Sequence, residues 1–207
     1  MQKILNCEEK VAKHGTKKGD YMKNAKEIIQ DWPDDERDTT QVMIDQYGEP
    51  DESTPTSLIW RNKGQWVEII ASKKGTQHDF PFPHLDIVES IAAYRVPPDK
   101  FSELAAFDGS VTVKRTQGLI SARCHDEMAN LLAINLSHEI IHGTKTVDEA
   151  RKAYVDIMVD YRAKRPTPFM DALQFPEQKD TADADVTLIT PEELKNRAGG
   201  AAARNGI

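Results

Sequence analysis

The chain has 207 residues, 39% of them apolar and 29% charged, with a net charge of −7, which fits one folded domain with extensions or two small ones. The acidic balance argues against a nucleic-acid-binding face, and no run approaches the ~20 apolar residues of a membrane-spanning helix. The start lacks the apolar stretch of a signal peptide, and Cys7 and Cys124 have no ligand spacing, so a cytoplasmic protein with two free thiols is expected.

Charge is uneven along the chain. Residues 1–30 hold seven lysines against four acids, and residues 31–52 hold nine carboxylates against the single Arg37. Blocks of this kind are solvated segments or interaction surfaces. Residues 1–38 therefore read as a polar extension, with weak helices over 3–13 and 21–30 and a turn at Asp31-Trp32-Pro33-Asp34-Asp35. The core is expected to begin near Thr39 with a short helix from Thr40 to Gln46, closed by Gly48 and Pro50.

Ser57–Arg61 and Gln65–Ile70 form a hairpin around Asn62-Lys63-Gly64, with Trp60 and Trp66 as apolar anchors. Prolines at 81, 83, 97 and 98 bracket a predicted helix from His84 to Arg95, since Leu85, Val88, Ile91 and Ala92 recur at three and four residues. Asp99 caps a helix over 100–107, and Asp108-Gly109 stops it. A second hairpin pairs Val111–Arg115 with Leu119–Arg123. The longest helix runs from Asp126 to His142. Thr146 and Glu149 make a capping box for the next, which continues to Tyr161. Beyond Phe175 the composition turns to Pro, Asp, Thr, Ala and Gly, so 176–207 reads as a disordered acidic tail in which Thr190–Leu194 can start a helix on a partner.

The fold class that emerges is α+β: two antiparallel β-hairpins, free to share one sheet, packed on four or five helices within a core domain at 39–175.

Three constellations carry chemistry. In His138-Glu139-Ile140-Ile141-His142, two imidazoles one helical turn apart are spaced to hold zinc, with Glu139 as general base. The third ligand has to come from elsewhere, and Glu149, Asp156 and Asp160 are the candidates. Against this, Gly143 ends the helix, and a histidine beside the carbonyl end of a helix is a common stabilising placement. The second constellation is His78, Asp79, His84 and Asp86, a set that can ligate a metal or make His84 a base oriented by Asp86. As structure, the prolines stiffen a connection and Asp86 favours a helix start. In the third, Cys124-His125-Asp126, adjacent residues point in divergent directions and form no relay, so Asp126 reads as a helix cap and Cys124 as an inward strand-end residue.

Tyr47–Glu52, Leu58–Trp60, Tyr94–Pro98, Phe107–Val111 and Ser121–Cys124 together resemble a family of uncharacterised bacterial proteins over roughly residues 39–175. That resemblance implies a shared fold and no activity. The first part alone, a helix, a Gly-x-Pro turn and a tryptophan-bearing strand, is similar to the modules with which outer-membrane assembly lipoproteins and beta-lactamase-inhibitor proteins bind partner proteins. The leading functional expectation is a non-enzymatic accessory protein without a cofactor, binding a protein partner through the tail or the acidic segment. The alternative is a zinc-dependent hydrolase using His138, His142 and Glu139.

Overall fold

The computed structural model describes residues 24–204, with side chains to residue 198. The predicted helix over 3–13 and the thiol of Cys7 lie outside the described residues. The class is α+β: one six-stranded antiparallel sheet with helices packed on it. The strands are β1 (Glu52–Thr54), β2 (Ser57–Lys63), β3 (Trp66–His78), β4 (His84–Ala93), β5 (Val111–Lys114) and β6 (Leu119–Cys124), in the spatial order β1-β2-β3-β4-β6-β5. The helices are α1 (Ala25–Ile29), α2 (Asp34–Tyr47), α3 (Phe101–Phe107), α4 (Glu127–Ile141), α5 (Val147–Arg162), α6 (Pro168–Asp171) and α7 (Pro191–Arg204).

Both expected hairpins are present, and they share one sheet because of a strand that the sequence disguises. Residues 84–93 form β4, not the predicted helix; β4 pairs with β3 on one side and β6 on the other. The three-and-four spacing misleads because β4 is central and covered on both faces. Neighbours Ile87 and Val88 point to opposite sides of the sheet, yet each is fully buried. A strand buried on both faces loses its alternation and looks like any apolar run. Its β-branched Ile87, Val88 and Ile91 are the surviving strand signal.

The core also begins earlier than expected. Ala25, Ile29 and Trp32 are buried in it, and Trp32 Nε1 donates to the Pro55 carbonyl at 3.0 Å. Helix α2 starts at Asp34, with Pro33 just before it and Asp34, Asp35 and Glu36 in its first turn, an arrangement that suits the positive end of the helix dipole. Asp99 makes no cap bond; it sits in a 3-10 turn, Pro98–Lys100, that leads into α3.

Helix α4 is the central pillar. Leu131 to Ser137 are buried without interruption, as in a helix enclosed on all sides. Asp126 caps it by accepting from Ala129 N at 2.9 Å, and Asn130 donates to Val88 O and Ser90 Oγ of β4. At its first turn the buried Glu127 carboxylate accepts from Gln46 Nε2 (2.9 Å), the Tyr47 hydroxyl and Trp66 Nε1, joining α2, β3 and α4 at one point. The Thr146–Glu149 capping box opens α5 as expected.

The stretch after Phe175 stays on the core as far as Asp185. Gln178 accepts from Arg95 N (3.0 Å), Arg115 pairs with Asp183 (2.9 Å) and Asp185 (2.6 Å), and Thr181 is buried. It crosses Gly118, whose φ of +68° and missing side chain leave room: a Cβ there would lie 2.2 Å from the Thr181 carbonyl carbon. No helix among the described residues is long and apolar enough to cross a membrane.

Candidate metal centre

The His138–His142 run has another use. His138 and His142 do lie one turn apart, with ring centroids 4.1 Å from each other. His138 Nδ1 is bonded to the Tyr94 hydroxyl at 2.8 Å, and its ring stacks on Phe175 at 4.5 Å. His142 Nδ1 donates to the His138 carbonyl at 3.0 Å. Glu139 accepts from the Thr144 hydroxyl at 2.6 Å. The third donors that sequence offered are engaged elsewhere: Glu149 in the capping box, Asp156 with Lys152 (2.6 Å), Asp160 with Arg165 (2.9 Å). Burial and the neighbouring His142 hold the His138 pKa below its ordinary value, against a smaller opposing effect of Glu139.

The second constellation comes together instead. In the β3–β4 ladder His78 is the direct partner of His84. Side chains alternate along a strand, so Asp86 shares the face of His84, and His78 meets them from across the ladder. On the other side of β4, Cys124 is paired with Val88, two steps beyond Asp86 on the same face. One end of three adjacent strands thus gathers two imidazoles, a carboxylate and a thiol. Among the described residues, His78, His84 and Asp86 are the one set of three or more metal-ligating side chains whose donor atoms all lie within 4.8 Å of one another. Asp79 is left out: it is exposed and bonded to Gln77.

His84 Nδ1 donates to the Phe82 carbonyl at 2.8 Å. In the neutral ring this fixes the tautomer and leaves the Nε2 lone pair facing inward. Nε2 lies 3.2 Å from Cys124 Sγ and 3.2 Å from Asp86 Oδ1. His78 Nδ1 is 3.5 Å from the same oxygen. Asp86 is 96% buried, its Oδ2 accepts from the Ser110 hydroxyl, and its Oδ1 is fully enclosed with no hydrogen bond. Ser110 also contacts His78 Nδ1 at 3.2 Å, and Asp108 accepts from Ser110 N at 2.8 Å while its Oδ1 stands 3.7 Å from His78 Nε2. Asp108 and Ser110 are site residues that sequence reading missed; their only signal is the polar Asp-Gly-Ser turn.

Electrostatics follow from this crowding. The Asp86 carboxylate, and then Cys124, push the His84 imidazole up to about 11 against the opposing pull of burial. Burial acts to raise Asp86, but His84, the Ser110 hydroxyl and the charge of His78 outweigh it and the pKa falls. Burial pushes the Cys124 thiol up in spite of His84, and it raises Asp108 as well. A proton on His84 thus balances the buried carboxylate when nothing else does.

His84 and Cys124 open onto a cavity of about 440 Å³ whose walls include Phe82, Tyr154, Met158, Tyr161 and Arg162. His125, from the third constellation, turns away to contact the Thr39 hydroxyl at 3.2 Å, and Asp126 is the helix cap foreseen for it. The letters of a thiol triad are present in space as Cys124, His84 and Asp86. The carboxylate and the thiol, however, approach the same ring nitrogen, so no Asp–His–Cys relay through opposite nitrogens exists.

The chain matches no protein-family model, no curated protein and no solved structure.

Proposed function

We propose that this protein binds one divalent ion of the zinc class through His78, His84 and Asp86, and uses it at the floor of the adjoining cavity to activate water for hydrolysis. The observation that carries this reading is Asp86 Oδ1, a buried carboxylate oxygen set between two imidazoles and hydrogen-bonded to neither. Without a metal, only the charge of a protonated His84 offsets the cost of burying this oxygen. A cation placed between the three donors removes the cost. Donors at ~2.0–2.3 Å from a tetrahedral zinc stand about 3.3–3.6 Å from one another, close to the two separations measured from Asp86 Oδ1, while all the donor atoms lie within 4.8 Å of one another.

The surroundings are those of a metal site. Ser110 holds the other oxygen of Asp86, and the Phe82 carbonyl orients His84, the outer contacts that fix ligand direction. Two histidines and one carboxylate leave a position for water, the ligand count of catalytic rather than structural zinc. The same trio suits non-haem iron, and the thiol beside it tips the choice toward zinc. Bound zinc brings water to a pKa near 7.

Elemental analysis of the purified protein tests this. Stoichiometric zinc is expected, lost in His84→Ala and Asp86→Asn and kept in His138→Ala. Cobalt substitution is expected to give the visible bands of a four-coordinate ion, and a thiolate charge-transfer band only if Cys124 fills the fourth position. A protein that takes up neither zinc nor cobalt sinks the reading.

A protein partner is the second reading, supported by the tail: Val186, Leu188 and Leu194 are 79%, 92% and 58% exposed. Truncation after Asp185 that leaves every bound protein in place counts against it.

A further inference from the structure

We infer that the substrate of this centre is a small molecule with an aromatic or branched aliphatic body and a carboxylate, the carboxylate held by Arg162 and the hydrolysable carbonyl turned toward His84. The inference rests on the metal-site reading above and adds what the cavity selects. About 440 Å³ falls within the usual range for small-ligand pockets. Phe82, Tyr154, Met158, Tyr161 and Met170 give it an apolar, largely aromatic wall, which suits a hydrophobic body.

The polar groups at its two ends are unequal. Of the acids at the rim, Asp126 is spent on capping α4, and Asp35 is exposed, as Arg162 is. Arg162 is the cation. Basic residues at the end of a helix stabilise it, and this accounts for a charge at the end of α5. Its neighbour Arg165 also has a carboxylate, Asp160 at 2.9 Å. Arg162 makes no ion pair among the described residues; its guanidinium lies 5.0 Å above the Phe82 ring. Phe82 also neighbours the site, its ring centroid 5.8 Å from that of His84 with the two planes tilted by 58°. One phenyl ring therefore neighbours both a planar, bidentate carboxylate donor and the metal end. An acylated amino acid fits: water adds its oxygen to the acyl carbon, the C–N bond breaks, and the displaced amine takes the proton, giving a carboxylic acid and an amine.

The test is calorimetric binding of N-acetyl-L-phenylalanine and of its uncharged methyl ester to the full chain, with zinc loaded and after chelation. The free acid is expected to bind about tenfold tighter than the ester. Arg162→Gln should abolish that preference and Arg162→Lys should restore part of it, at unchanged melting temperature. Chelation should leave the preference in place, because Arg162 is not a ligand to the ion. Equal affinities, no binding of either compound, or a preference that survives Arg162→Gln overturns the inference. Failure of the metal reading shows differently, as an intact preference in a protein that takes up no zinc.

Discussion

Asp86 Oδ1 lies 3.2 Å from His84 Nε2 and receives no hydrogen bond from it. At that distance the oxygen has to stand well off the ring N–H direction. On the proposed reading, the ion sits among the three donors of His78, His84 and Asp86.

Asp86→Asn separates the two roles of this carboxylate. In the wild type, zinc at a hundred times its Kd is expected to stabilise the fold by about 2.7 kcal/mol, a rise in Tm of roughly 5–10 °C. The variant should show no zinc-dependent rise. Its metal-free form should melt below the metal-free wild type, because the substitution takes away the carboxylate that balances the His84 proton and so breaks a buried pair. Differential scanning calorimetry with and without zinc reads both outcomes.

Glu127 is the clearest structural carboxylate. Glu127→Ala leaves the Tyr47 hydroxyl and Trp66 Nε1 buried without an acceptor, and should cost about 3–5 kcal/mol. Glu127→Gln keeps one acceptor oxygen and should cost clearly less. Urea denaturation of the two variants checks the order; equal losses would mean that the packing of the side chain matters and its charge does not.

Stability should fall on mild acidification through His138. Burial and the neighbouring His142 disfavour its protonation in the folded chain. The unfolded chain therefore binds the proton more readily, and the contribution is fully present above the ordinary imidazole range near 6.5 and is lost as pH falls through it. His142→Ala removes one of the two causes and should flatten the slope of stability between pH 7.5 and 5.5, as measured by denaturant titration at each pH.

Gly118→Ala should release the segment that crosses it. The new methyl collides with the Thr181 backbone at a residue of positive φ, a loss of about 1–2 kcal/mol that the chain can avoid by lifting the 178–185 stretch. Limited proteolysis should then cut between 176 and 190 faster than in the wild type, with zinc content unchanged.

Much of the fold is legible in the sequence because its signals are local. The turns at Asn62–Gly64 and Thr116–Gly118, the Asp126 cap and the Thr146–Glu149 box each depend on a few neighbouring residues. β4 is illegible because burial on two faces erases alternation; α1 falls within the helix expected over 21–30, but its burial and that of Trp32 are illegible because a charged neighbourhood hides three inward side chains. The site suffers doubly. Reading 84–95 as a helix makes Asp86 a dipole partner and leaves His78 on a loop, so the cross-strand pair His78–His84 cannot be seen. Cys124 is the inward strand-end residue that its pattern predicts, but its partner is an imidazole 40 residues earlier and not the adjacent His125. Phe107–Val111 and Ser121–Cys124 both reach the cluster, through Asp108, Ser110 and Cys124.

The histidine pair is also the last rung of the β3–β4 ladder before the chain turns at Asp79 to Pro83. An ion gripped there would act as a rivet through the tip of the hairpin, holding register where backbone pairing runs out. Chelation should therefore fray that tip first, and amide exchange at residues 76–78 and 84–86 should quicken before any other part of the sheet responds.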